Sequence, residues 1–130
     1  MDAEIEEVSP GFEFGFTLIL KDQNHSFGRA HVIFNGDNTA TLADIYIEDV
    51  DYIPYPWVKF YKKKIQYTRK GHGTYLLKEV IARCKSKGIT KITGDLHGDP
   101  QVLIPWYQNN GFEVVGGKKI LYKFASNNNQ

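Results

Sequence analysis

From Phe12 to Lys21 the chain alternates. Phe12, Phe14, Phe16, Leu18 and Leu20 fall on one face, and Glu13, Gly15, Thr17, Ile19 and Lys21 on the other. A period of two predicts a half-buried strand. Asp22 to Ser26 is a polar turn, and Phe27 to Phe34 returns as a second strand. Asn35-Gly36-Asp37-Asn38 supplies the residues that tolerate positive φ in a tight hairpin, and a third strand follows from about Thr39 to Glu48. The first half of the chain therefore predicts an antiparallel meander, preceded by a polar lead-in over residues 1–10.

The period then lengthens. Leu76, Leu77, Val80, Ile81 and Cys84 recur at helical spacing, with Lys85 and Lys87 in the last turn and Gly88 placed to end it. Ile89 to Leu96 reads as a strand, so strand, helix and strand form a βαβ-like return. Asp99 and Pro100 are the N-cap and first residue of a second helix carrying Val102, Leu103, Trp106 and Tyr107. Pro105 predicts a kink within it, and Gly111 its end. Phe112–Val115 and Lys119–Phe124 close as a hairpin around Gly116-Gly117, and 125–130 is a polar tail.

Between the halves, residues 50–66 fit neither period. Pro54 and Pro56 forbid a regular helix or central strand, so this is an extended aromatic loop with a short strand at its end. Between Asp51 and Glu79 there is no acidic residue, while Lys59, Lys62, Lys63, Lys64, Arg69, Lys70 and Lys78 are basic. That excess matters because the chain as a whole is nearly neutral, at a formal +1 over 130 residues. Such a balance argues against bulk nucleic-acid or membrane binding, and the length predicts one domain, 1–130, with a real core. No apolar run is long enough to span a bilayer, and the single cysteine, Cys84, excludes a disulfide framework. The expectation is a cytoplasmic protein.

The basic excess surrounds Tyr67-Thr68-Arg69-Lys70-Gly71-His72-Gly73-Thr74, which runs directly into the first helix. Gly71 and Gly73 remove side chains where backbone N–H groups have no helical partner. Free N–H donors from Arg69 to Thr74, a helix N-terminus and two flanking cations make a cradle for an anion such as a pyrophosphate. No Ser/His/Asp or Cys/His nucleophile pattern is present, and His25 and His31 have no metal-like partners at ligand spacing.

The order of elements, with Thr68-Arg69-Lys70-Gly71-His72-Gly73 and Trp106-Tyr107 ahead of Gly111-Phe112, resembles the GNAT superfamily of acyl-CoA N-acyltransferases. The family's loop is written (Arg/Gln)-x-x-Gly-x-(Gly/Ala). Thr68 departs from it at the first position, and His72 stands where isoleucine is common. The likeness covers roughly Phe12 to Phe124. It lacks room for the family's first strand and one or two helices, and adds the 50–66 insertion.

What the resemblance implies is an α/β (α+β) fold: a mixed sheet with an antiparallel meander, then βαβ with splayed parallel strands, then a closing hairpin. It implies acetyl-CoA as co-substrate and no metal. The phosphates would lie on Thr68, Arg69, Lys70, Gly71, His72, Gly73 and Thr74. The pantetheine arm would pair with the strand at Ile45, Tyr46 and Ile47, between Asp44–Glu48 and Lys91–Leu96. Tyr107 matches the tyrosine that protonates the leaving thiolate. The base that frees the amine is Glu48, His97 or, third, Asp95, through a water; Trp106 is read as packing.

The implied activity is transfer of an acetyl group to a primary amine on a small molecule, peptide or protein. The alternative is an inactive GNAT-like module that senses CoA or binds a protein. Nucleic-acid binding through Trp57–Lys70 is a third, weaker reading. A homodimer suits so small a catalytic domain.

Overall fold

The computed structural model describes residues 3–9, 14–23, 25–52, 63–66, 68 and 71–124. Most of the aromatic insertion, Tyr67, Arg69, Lys70 and the tail 125–130 lie outside the described residues. Seven strands form one sheet in the order β1(Glu4–Val8), β2(Gly15–Lys21), β3(Ser26–Phe34), β4(Thr39–Ile47), β7(Lys91–Asp95), β9(Lys119–Lys123), β8(Glu113–Val115). The helices are α1(His72–Ser86) and α2(Pro100–Asn109). Val50–Tyr52 (β5) and Lys63–Ile65 (β6) pair separately as an antiparallel ribbon across the ends of the insertion.

The alternation read in the sequence becomes the two faces of this sheet. Phe16, Leu18 and Leu20 of β2 oppose Val32, Ala30 and Gly28 of β3, and the face they share is buried beneath α1. Leu76, Leu77, Val80 and Cys84 are the helix's contribution, all fully buried. At about 1.5–3 kcal/mol for each large apolar side chain removed from water, this layer holds the domain together. Phe14 does not join it. The residue lies outside β2 and is 64% exposed, contrary to its place in the alternating pattern.

The polar lead-in needs a larger correction. Glu4–Val8 is strand β1, paired along its length with β2. Ile5 faces the helix side, and so does Glu7, whose carboxylate takes a hydrogen bond from Arg83 Nη1 at 2.6 Å and an ion pair from Lys87 at 3.4 Å. Burial works against that carboxylate, but the Arg83, Ser9 and Lys87 contacts hold it below the usual range. A charge thus sits where the pattern calls for an apolar residue, and it is tolerated because two cations meet it, Arg83 on α1 and Lys87 just past its end.

The second half follows the expected order. Asp99 caps α2, accepting from the Gln101 N–H at 3.0 Å, with Pro100 in the first turn. Pro105 lies inside α2, which continues past it to Asn109. Gly116 and Gly117, at φ of 63° and 68°, turn the closing hairpin. Both helices lie on one side of the sheet. Among the described residues no helix covers the other side, and no helix is long and apolar enough to cross a membrane.

Candidate functional site

The sheet opens at its centre. β4 and β7 run parallel and are paired from Thr39↔Lys91 to Leu42↔Gly94, and there the pairing stops. β4 goes on to Ile47 held by β3 alone, while β7 stays with β9 as far as Asp95. An irregularity in the β3–β4 ladder lies at the point of parting: Val32 opposes Leu42 but His31 opposes Asp44, so Ala43 is an extra residue. Bulges bend a strand and increase its twist, which turns the end of β4 away from β7. Gly94 permits the close approach just before the gap, since a methyl group there would lie 2.9 Å from the Leu42 carbonyl oxygen.

The N-terminus of α1 faces the same region. Gly71 precedes it at φ 83°, no side chain caps it, and its first turn has no acidic residue. The Tyr75 N–H is the first to find a helical carbonyl, that of Gly71, at 3.0 Å. Among the described residues, a side chain at Gly71 would meet nothing within 4 Å. A methyl group at Gly73 would instead point inward, 3.6 Å from Trp106 and 3.8 Å from Ile47. Gly73 and the end of β4 are therefore neighbours.

Two contacts brace this loop, and local pattern reveals neither. Asp49, just past β4, accepts from the Thr68 N–H at 3.0 Å and the Thr68 hydroxyl at 3.4 Å. Thr68 thus holds the start of the loop to the sheet from the position where the family carries arginine or glutamine. Trp106 Nε1 donates to the Thr74 hydroxyl at 2.9 Å, so this side chain, read as packing, also ties α2 to the first turn of α1. His72 stacks edge-on with Phe27 at 4.9 Å. Ile45 and Ile47 are half-buried on the helix side of β4, and Tyr46 points to the other face, 39% exposed.

Tyr107 is buried at 4% exposure, its ring 4.8 Å from Trp106 and 5.3 Å from Phe112. Burial, with a smaller contribution from the Asp44 carboxylate, pushes its phenol up to about 12. Asp44 was not among the sequence candidates. It becomes relevant because it is the residue just after the bulge, on the stretch of β4 that has left β7. Glu48 and His97 are both exposed, each just beyond a parted strand, and the Glu48 N–H is tied to the Phe27 carbonyl at 2.8 Å. Cys84 is buried within the core and its thiol is pushed up to about 12 by that burial, the environment of an inert thiol. Among the described residues no three His, Cys, Asp or Glu side chains gather as a metal site would need.

Tyr107 and Cys84 share a pH consequence. Both are neutral when protonated, and the fold keeps their protons beyond the ordinary values of 10.0 and 9.0. Above pH 9 the unfolded chain releases protons that the native chain retains, so stability falls as pH rises towards 12. Thermal melts between these limits should show a steady decline that flattens in Tyr107→Phe and Cys84→Ala. A parallel decline in both variants would mean that other groups carry it.

No family model and no curated protein sequence matches the chain. Solved structures do. The chain is similar to the PaiA N-acetyltransferase of Thermoplasma acidophilum in complex with coenzyme A, at 23% identity and TM-score 0.61 over 83% of this chain. It spans only 60% of that protein's length. A GNAT family acetyltransferase of Elizabethkingia anophelis with acetyl-CoA bound is 15% identical, with a TM-score of 0.69 over 94% of this chain and 98% of the other. An Escherichia coli N-acetyltransferase named for an alanine of a ribosomal protein is 14% identical, with a TM-score of 0.70 over 98% of each chain. The fold of this chain is the GNAT fold.

Proposed function

We propose, from the fold it shares with these acetyltransferases, that this chain moves an acetyl group from acetyl-CoA to a primary amine by direct attack. The observation that carries the reading is the parting of β4 from β7 one rung past Leu42↔Gly94, beside an uncapped helix N-terminus. An open strand edge can take a pantetheine amide as an added strand, and the helix N–H groups can take the pyrophosphate. The fit is supported by Gly71, where an added side chain would meet none of the described residues within 4 Å.

Acetyl-CoA supplies an activated acyl group: a C–N bond to the acceptor forms and the C–S bond breaks; of the two protons the ammonium nitrogen loses, one is released to solvent and the other makes good the proton that Tyr107 gives to the sulfur. The chain's own residues do the rest. Backbone N–H groups near Ile47 polarise the carbonyl oxygen. Tyr107 keeps a proton at its phenol oxygen for the leaving sulfur. Glu48, His97 or Asp95 takes the amine's proton through water, and Asp44 on the parted strand is a further carboxylate near the gap. Arg69 and Lys70 add charge to the cradle.

Calorimetry with acetyl-CoA and CoA, followed by thiol release against a panel of amines, tests the reading. Binding with steady, acceptor-dependent thiol release is expected. Absence of binding to either nucleotide would remove it, and binding without turnover across the panel would favour the CoA-sensing module instead.

A further inference from the structure

The sheet face opposite the helices holds a cleft of about 450 Å³, lined among others by Thr41, Lys91, Thr93, Asp95, Lys119 and Leu121. Its size is that of a small-molecule site. Its position ties it to the reaction just proposed. Thr41 and Thr93 face each other across the rung before the last paired one, and Asp95 is the first residue of β7 beyond the parting. One end of the cleft therefore opens on the gap in the sheet, from the side that the helices leave uncovered.

The two ends differ in charge. At the gap end Asp95 and Lys119 are bridged at 2.6 Å, with both side chains more than half exposed. The Asp95 carboxylate thus keeps a second oxygen facing water. At the far end Lys91 lies directly opposite Lys123 on β9, and alternation puts both on the cleft side. Like charges directly opposite on neighbouring strands destabilise a sheet unless something lies between them. Among the described residues no carboxylate lies within ion-pair distance of either lysine. Asp37 is near enough to Lys91 to be affected by it but forms no ion pair with it, and its Oδ1 takes the Thr39 N–H and hydroxyl. Thr41, Thr93 and Leu121 line the floor between the ends.

Resting on the transferase reading, we propose that this cleft seats the acceptor, and that the acceptor is a small amine carrying a carboxylate or phosphate at a distance from its nitrogen. The anionic group lies against Lys91 and Lys123. The ammonium lies against Asp95, next to the gap from which the acyl group arrives. Lys91 and Asp95 are four residues apart on an extended strand, roughly 13 Å before the reach of the lysine side chain is counted. An α-amino acid is too short to touch both ends, whereas an ω-amino acid several bonds long is not.

The test uses the whole chain and matched acceptors: glycine, γ-aminobutyrate, ε-aminocaproate, the ε-aminocaproate amide, and an aminoalkyl phosphate of similar length. Thiol release at saturating acetyl-CoA should give ε-aminocaproate or the phosphate a kcat/KM at least about tenfold above the neutral amide and above glycine, a difference of about 1.4 kcal/mol. Whichever of the two is preferred identifies the anion. Without acetyl-CoA, saturation-transfer NMR should detect ε-aminocaproate on the native chain and lose it in Lys91→Gln/Lys123→Gln. That variant should bind acetyl-CoA normally and raise KM for the anionic amines alone. Equal turnover of acid and amide, or an unaltered double variant, overturns the acceptor assignment while leaving transfer intact. Failure to bind acetyl-CoA removes both, and calorimetry separates the two failures.

Discussion

Tyr107→Phe is expected to lower kcat by about a hundredfold or more while leaving acetyl-CoA affinity within about a factor of two. The substitution keeps the ring, so the contacts with Trp106 and Phe112 and the burial of the side chain persist. What disappears is the phenol proton, near enough to Asp44 on the parted strand to be affected by its carboxylate. A phenol pushed up to about 12 is protonated throughout the neutral range, so the donor is always loaded. A free thiol has a reference pKa of about 8.5, which makes transfer from phenol to thiolate uphill in water. Within the gap the desolvation that raises the phenol also raises the thiol formed beside it, so the phenol's shift alone does not set the imbalance. Rapid-quench or thiol-release kinetics with a fixed amine measures the effect, and titration calorimetry measures the affinity. Full turnover in the variant would make Tyr107 a packing residue and leave water as the proton source.

The fold was largely legible because its signals are local. The meander strands, the Asn35–Asn38 turn, the Asp99 cap and the closing glycines each depend on neighbours within a few residues. Strand β1 was not legible for the opposite reason. Its helix-side positions are Ile5 and Glu7, and Glu7 reads as solvent-facing until Arg83 is folded against it. The site divides the same way. The glycine loop and the Trp106-Tyr107 pair are sequence motifs, and they proved to lie together at one end of the sheet. The extra residue at Ala43, the Asp49–Thr68 clamp and the Trp106–Thr74 hydrogen bond join segments distant in sequence. None leaves a trace in spacing or periodicity, so neither Asp44 nor Asp49 stands out in the sequence. Glu48 and His97, each just past a strand end, are both exposed, and among the described residues no side-chain contact singles either out as the base.

Gly71→Val should weaken acetyl-CoA binding by more than about tenfold, or about 1.4 kcal/mol, and Gly73→Ala should not. The contrast follows from where each missing side chain would point. At Gly71 the backbone is left-handed and a side chain would meet none of the described residues in front of α1, where the pyrophosphate is expected. Valine there obstructs the cradle and carries a left-handed penalty of about 1–2 kcal/mol, visible as a lower melting temperature. At Gly73 a methyl group makes ordinary contacts with Trp106 and Ile47, inside the protein. Alanine within a helix is favoured over glycine by roughly 0.5–1 kcal/mol, so this variant should melt slightly higher and bind within about threefold of the parent. Calorimetry on both variants at matched folded fractions separates obstruction from instability. Undiminished binding by Gly71→Val would move the phosphates away from this helix terminus, and the transferase reading would lose its anchor.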